Sequence, residues 1–366
     1  MKESKKIKLL LVAGIFPPEI GGPATYAAEM VRELPARGFE VEVLTFRSVK
    51  KWSKVLRHFI FFVNIVLKSF SKDVVFVQDT LSSGFPAVLA SILTRKPTVL
   101  RAPGDNVWEQ SVQRFGVKEN IDIFQNKKYG FKIEFLRFLQ KFAVRFATEV
   151  YTPSRYFSRL VSSWVGSSKK IGTIYNGIGL DFKPSGQKYE KLTMVTSGRL
   201  IYSKGVVGLI ELLSKMPDFQ LKIAGSGPEK EYLEERAKEI GVYERVDFLG
   251  TVDRERLMGI VSKSHVFVLN TYSESFSFQV IEALATGTPV ITTKVGALPE
   301  IITNEENGIL VTPDDLVSIE KYIRKIIGED IFRQKLSKNG IERSKDFSVK
   351  NTMDQLDKLL KSVIRK

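Results

Sequence analysis

No cysteine occurs anywhere in the 366 residues. Disulfides and thiolate chemistry are therefore excluded, and a cytosolic setting is suited. Histidine is nearly as scarce: His58 and His265 are the only two. A Ser-His-Asp triad could use one of them at most, and two histidines make a poor basis for a multi-histidine metal site. Both read as structural. The longest apolar run, Phe59 to Leu67, is already interrupted by Asn64 and falls well short of the ~18 residues a membrane span needs. MKESKKIK followed by LLLVAGIF has the outline of a leader, but Pro17 and Pro18 follow at once without a small-residue cleavage site. A first β-strand is the better reading. No Asp-x-Asp element is present.

Acidic residues are also scarce in one half. Residues 1–185 hold 29 basic and 15 acidic side chains, a net of +14, whereas the remainder holds 27 and 26, a net of +1. A basic domain beside a neutral one suggests an anionic partner for the first, such as membrane lipid, nucleic acid or a phosphorylated substrate, although charge for solubility alone is the simpler account. Composition is otherwise that of a globular protein, 43% hydrophobic and 27% charged, with length enough for about two domains.

What is there alternates. Leu9–Ala13 is a short apolar run, as in a parallel strand buried on both faces. Gly21 and Gly22 follow, then Tyr26, Ala27, Met30, Val31 and Leu34 at helical spacing, then a strand at Val41–Thr45. This is a βαβ unit. Strands at 74–77, 98–100 and 149–151 continue the pattern, residues 105–130 read as irregular and polar, and a long amphipathic helix starts at Phe131. NGIGLDFKPSGQKYEK, near 176–192, lacks any period and reads as a linker. Five strands from Thr193 to Ile291 then alternate with helices, a sixth lies at 308–311, and helical stretches at about 315–343 and 350–364 close the chain. The expectation is two tandem doubly wound α/β domains, 1–185 and 186–345, facing a cleft, with the helix at about 346–366 a candidate to pack back on the first. Such domains bind ligands beyond the carboxyl ends of their strands.

Three segments after strands in the second half could carry chemistry. In Ser197-Gly198-Arg199-Leu200-Ile201-Tyr202-Ser203-Lys204-Gly205, a glycine turn presents Arg199, with Lys204 at a helix start. Two cations there suit a diphosphate. In Glu274-Ser275-Phe276-Ser277-Phe278-Gln279-Val280-Ile281-Glu282, small residues leave helix-start N–H groups for a phosphate. The two carboxylates can accept from vicinal hydroxyls. Glu274 as a plain helix-entry residue and Glu282 as a solvated helix residue are the bland readings. Gly287-Thr288-Pro289-Val290-Ile291 with Gly296, Pro299 and Glu300 forms a turn–strand–turn floor.

Together, GRLIYSKG, the E-x7-E element ESFSFQVIE and ALATGTPVITTKVGALPEII resemble the family-four retaining glycosyltransferases of the GT-B fold. Gly225-Ser226-Gly227-Pro228, FLGTV at 248–252, Asn176-Gly177-Ile178 and FPPEIGGPATYAAEMVREL add to the resemblance. It implies that Arg199 and Lys204 neutralise a donor diphosphate and that Glu274 orients the donor sugar, with Ser275, Phe276 and Ser277 beside it. Glu282 would hold ribose hydroxyls, and Gly198, Gly225, Thr251 and Val252 would lie along the nucleotide. Gly21 and Gly22 would let backbone approach the donor. It also implies same-face transfer to an acceptor hydroxyl without a metal or other cofactor, the nucleotide-sugar being a co-substrate. Many relatives carry a histidine in the loop that here reads Arg101-Ala102-Pro103-Gly104-Asp105-Asn106-Val107-Trp108-Glu109. Asp105 either takes its place, as a catalytic or acceptor-binding group, or is the turn residue that Pro-Gly-Asp suggests.

Cell-envelope polysaccharide or glycolipid synthesis follows from the resemblance. A cytoplasmic protein touching the inner membrane face, with a lipid-linked acceptor, follows from the charge. The segment 47–72, with Lys50, Lys51, Lys54, Arg57 and Lys68 among Trp52, Phe59, Phe61 and Phe62, reads either as the membrane-touching helix or as an ordinary crossover. A nucleic-acid-binding protein is disfavoured for want of a reader motif. A dehydrogenase is disfavoured because Gly14, Gly21 and Gly22 do not match G-x-G-x-x-G. An epimerase or hydrolase of nucleotide-sugars on the same fold is the closer rival.

Overall fold

The computed structural model describes residues 6–19, 21–166, 169–179, 182 and 186–365, apart from the side chains of Lys54 and Val55. The chain divides into two compact units, Met1–Asn176 with Val349–Lys366, and Gly177–Ser348. The first division comes earlier than the 185 read from the texture of the linker; five linker residues, Leu180, Asp181 and 183–185, lie outside the described residues.

The first unit contains β1 (Ile7–Ala13), α1 (Gly22–Glu33), β2 (Phe39–Thr45), α2 (Lys54–Ser69), β3 (Val74–Val77), α3 (Gly84–Thr94), β4 (Thr98–Arg101), α4 (Asn106–Phe115), α5 (Ile121–Asn126), α6 (Phe131–Phe146), β5 (Glu149–Thr152), α7 (Arg155–Val165) and the two-residue β6 (Gly172–Thr173). Its sheet runs β2-β1-β3-β4-β5-β6, with every pair parallel. Alternation along β1 explains its continuous apolar run. Leu9 and Leu11 join a cluster with Tyr26, Met30, Met353 and Leu356 on one face. Leu10 and Val12 join Phe61, Ile65 and Ala87 on the other. A strand covered by helices on both sides has no polar face to show.

The second unit contains β7 (Leu192–Ser197), α8 (Val206–Ser214), β8 (Phe219–Ala224), α9 (Lys230–Glu239), β9 (Val246–Gly250), α10 (Arg254–Lys263), β10 (Val266–Leu269), α11 (Phe278–Ala285), β11 (Val290–Thr293), α12 (Leu298–Ile301), β12 (Ile309–Val311), α13 (Leu316–Gly328) and α14 (Asp330–Ser344). Its parallel order is β12-β11-β10-β7-β8-β9. The direction of winding therefore reverses between β7 and β10, where open sheets of this kind bind ligands. The last helix, α15 (Val349–Ile364), belongs to the first unit.

Two sequence expectations need correction. Residues 105–130 are not irregular: α4 begins at an Asp105 cap and ends at left-handed Gly116, and α5 begins at an Asn120 cap. Their polar composition reflects exposed faces. The stretch 315–343 is two helices, because Glu329 after Gly328 is extended and starts α14 afresh. No helix among the described residues is long and apolar enough to cross a membrane.

Candidate active site

In the second unit, the loops after β7, β8 and β9 are laced backbone to backbone. Gly198 N donates to Ala224 O at 2.9 Å, Leu200 N to Ser226 O at 2.9 Å, and Gly225 N to Gly250 O at 2.8 Å. A Cβ on Gly225 would sit 1.8 Å from Gly198 O, and one on Gly227 2.2 Å from Leu200 O. Glycine is required here because no side chain fits between the chains. Arg199, on this turn, is exposed and makes no side-chain hydrogen bond or ion pair with any described residue.

From Arg199 the chain enters a 3-10 turn, Tyr202–Lys204, and α8 begins only after left-handed Gly205. Lys204 is thus at the end of that turn and not on the helix itself. Gly205 lies against the end of β10, where an added Cβ would be 2.0 Å from Asn270 O. Ser203 O accepts from Tyr272 N at 2.9 Å and from Thr271 Oγ1 at 2.8 Å. This stitching of the β7 and β10 loops brings Lys204 Nζ to 2.6 Å from Glu274 Oε2. Both side chains are mostly buried, at 15% and 10% exposure. Glu274 O accepts from Ala297 N at 2.9 Å, beside Gly296, whose φ is 54°. Three strand-following loops therefore fix Glu274, and its Oε1 accepts no hydrogen bond from a described residue.

Glu282 is four residues into α11, beyond the Ser277 cap whose Oγ accepts from Val280 N. Burial pushes its carboxyl pKa up, opposed by Arg254. Arg254 Nε donates to Glu282 Oε1 at 2.8 Å, and Arg254 Nη2 to Gly179 O at 2.7 Å. Thr251 and Val252 precede the Asp253 cap of α10, and Thr251 Oγ1 is 3.0 Å from Ser226 Oγ. Phe276 packs its ring edge-on against Phe278 and Phe347, so it offers backbone where Ser275 and Ser277 flank it. The four charged side chains named from sequence thus fall into two ion-paired groups, Lys204–Glu274 and Glu282 with Arg254, plus the uncommitted Arg199.

Sequence reasoning missed Arg254 and Gln279. The Asp253 cap before α10 was the available signal for the former. Gln279 Nε2 lies 3.7 Å from where a Gly198 Cβ would stand, which ties the start of α11 to the β7 turn. Among the described residues no cluster of three or more His, Asp or Glu side chains could hold a metal ion.

In the first unit, Gly21 (φ 150°) precedes α1, and Gly22 is its first residue. Asp105 is 2% exposed. Its Oδ1 accepts from Val107 N, Trp108 N and Gln140 Nε2, and its Oδ2 from Gln125 Nε2, all at 2.9–3.1 Å. That is the capping role of the turn reading, and all four bonds engage the carboxylate. A buried cation that the sequence reading passed over lies at the end of β4. Arg101, 1% exposed, stacks 4.0 Å over Tyr26 and donates to Gln78 Oε1 and Asn176 Oδ1. Tyr26 and Tyr151 share a 2.8 Å hydroxyl contact, and burial raises the pKa of both.

Comparison with known proteins matches residues 179–343 to the glycosyl transferases group 1 model and residues 20–182 to the Glycosyltransferase Family 4 model. An uncharacterized glycosyltransferase of Methanocaldococcus jannaschii is 32% identical over 228 residues, 57% of this chain and 58% of that protein. A D-inositol 3-phosphate glycosyltransferase of Corynebacterium efficiens is 32% identical over 172 residues, covering 44% and 41%. The chain therefore spans less than two thirds of the length of these curated relatives. Anabaena HepE, solved with UDP and glucose, matches with a TM-score of 0.77 at 18% identity, over 97% of this chain and 100% of that one. Sucrose-phosphate synthase from Thermosynechococcus elongatus matches at 0.79 and 20%, over 98% and 100%. At such identities the likeness is one of fold. Two adjacent family models running from residue 20 to residue 343, over two Rossmann-like units with the Lys204–Glu274 pair in the strand-end loops of the second, place the chain in glycosyltransferase family 4 with the GT-B fold.

Proposed function

We propose that the chain moves a sugar from a nucleotide-diphosphate sugar to an acceptor hydroxyl with retention at the anomeric carbon, in the synthesis of a cell-envelope polysaccharide or glycolipid. The observation that carries this reading is the Lys204–Glu274 pair at the β7/β10 reversal, with Arg199 exposed and uncommitted in the same β7 loop. Lys204 is held in place before any ligand arrives, and fixed charge aimed at a developing diphosphate needs little reorganisation. Arg199 supplies the second positive charge. Glu274 Oε1 remains for a donor-sugar hydroxyl and Glu282 Oε2 for the ribose. The backbone at Gly198, Gly225 and Ser275–Ser277, with Thr251 and Val252, lines the nucleotide. UDP in the HepE structure supports a nucleotide-sugar donor.

In the transfer, the bond from anomeric carbon to phosphate oxygen breaks and the acceptor oxygen bonds to that carbon on the same face. The acceptor proton passes to the departing phosphate. The protein's part is positioning and charge stabilisation. Arg199 and Lys204 do the work given to a metal in other transferases, and no cofactor is proposed. The excess of basic residues in the first unit supports a lipid-linked acceptor at the inner membrane face.

The test is incubation with uridine and guanosine diphosphate sugars, with and without candidate lipid acceptors, in the presence of EDTA. Acceptor-dependent release of nucleoside diphosphate, with proton NMR showing an unchanged anomeric configuration, is expected. Epimerised or free sugar without a transfer product would favour the epimerase or hydrolase reading.

A further inference from the structure

The first unit shows an apolar surface that its own core does not use. On α6, Phe131, Phe135, Phe138 and Phe146 are all exposed, Phe131 at 84% and Phe138 at 61%. Their spacing puts them on one side of the helix, in a stripe about 22 Å long. Next to α6 lies α3, adding exposed Ile92 and Leu93, and beyond it α2 adds Phe59 and Leu67. Single exposed apolar residues are ordinary, but a contiguous field rimmed by one sign of charge marks an interaction surface. The three helices carry seven Lys or Arg residues and one carboxylate, Glu134, which Arg137 already holds at 2.8 Å.

At the end of the stripe an open pocket of about 570 Å³ lies by the N-terminal ends of β3 and β4. Arg95, Lys96, Ser91 and Thr98 line it beside the apolar Ile92 and Phe146. Ser91 Oγ and Thr98 Oγ1 are buried and have no hydrogen-bond partner among the described residues. Buried hydroxyls are nearly always paired, and both of these residues border the pocket. The carboxylate in the wall, Asp73, accepts from Lys8 N at 2.8 Å.

We infer that the α3–α6 face lies on an anionic bilayer, with a phospholipid headgroup in this pocket and the phenylalanine stripe at the headgroup–acyl boundary. Two cations and two unpaired hydroxyls suit a phosphodiester, and the adjoining apolar wall suits the chains attached to it. Aromatic side chains flanked by Lys and Arg, with a single carboxylate that is already paired, are the pattern that meets an anionic lipid surface. The segment 47–72 supplies only the margin of this face. α2 is a crossover helix whose Phe61 and Ile65 are fully buried.

The experiment is co-sedimentation of the full chain with phosphatidylcholine vesicles with or without phosphatidylglycerol, at low and high salt. Its readout does not depend on the transferase reading. Salt-sensitive binding that needs phosphatidylglycerol is expected. F135S/F138S should weaken it at least tenfold without a change in melting temperature. R95Q/K96Q should weaken it by about fivefold per charge removed, and by more than K141Q/R145Q, which removes the same charge outside the pocket. Absence of binding to phosphatidylglycerol vesicles, or wild-type binding by F135S/F138S, would overturn the inference. Equal losses in the two charge variants would remove the headgroup pocket. An oligomer that dissociates in F135S/F138S by light scattering would make the face a contact between copies instead.

Discussion

Lys204 Nζ and Glu274 Oε2 lie 2.6 Å apart across 70 residues of sequence, joining the loop after β7 to the loop after β10. In a mostly buried pair, each charge depends on the other. Lys204→Ala and Glu274→Ala should each lower kcat/KM by about 10²–10³. The double variant should fall no more than about threefold below the worse single, because partners in contact are not additive. Multiplying losses in steady-state kinetics would show that the two act independently.

Arg199 offers the contrast. It is exposed and unpaired among the described residues, so the fold does not depend on it. Arg199→Ala is expected to lower kcat/KM by about 10²-fold while the melting temperature moves by less than about 1 °C. A fall in melting temperature comparable to that of Lys204→Ala would assign Arg199 a structural role.

Gly296 joins two constraints. Its φ of 54° is left-handed, and an added Cβ would stand 2.0 Å from Glu274 O. Gly296→Ala should destabilise the protein by about 3 kcal/mol or more, read by denaturant unfolding. It should also reduce activity through displacement of Glu274. Wild-type stability would mean that the loop after β11 can move aside freely.

His265 predicts a pH effect with a definite sign. Its Nδ1 accepts from Thr193 N at 3.1 Å, which requires that nitrogen unprotonated. Burial, with Lys188 and Arg333 nearby, holds its pKa below the ordinary 6.5. A depressed value means that its stabilisation is complete above the unfolded value of about 6.5 and is lost as pH falls toward and through the folded one. Melting temperature should drop between pH 7.5 and pH 5. It should drop less in His265→Asn, which keeps an acceptor but does not titrate; parallel curves would discount the link.

The alternation of strands and helices was legible because doubly buried parallel strands leave uninterrupted apolar runs such as Leu9–Ala13 and Val266–Leu269. The break between α13 and α14 was not: Gly328-Glu329-Asp330 carries no proline, and only the extended backbone of Glu329 reveals it. Motif residues were readable by type and spacing, but their pairing was not. Arg254 meets Glu282 across 28 residues through the packing of α10 on α11, a contact that no local pattern encodes. Asp105 was ambiguous for a related reason. Only the placement of Gln125 and Gln140 shows its carboxylate to be fully engaged.

The last helix has a consequence for biosynthesis. Val349, Met353, Leu356, Leu360 and Val363 of α15 sit in the same apolar cluster as Leu9, Leu11 and Phe76, yet they are made only after the whole of the second unit. The first unit is thus begun before the second and completed after it, and must wait with one side of its sheet uncovered while the whole of the second is made. A nascent chain stalled before Val349 would present that bare surface to chaperones.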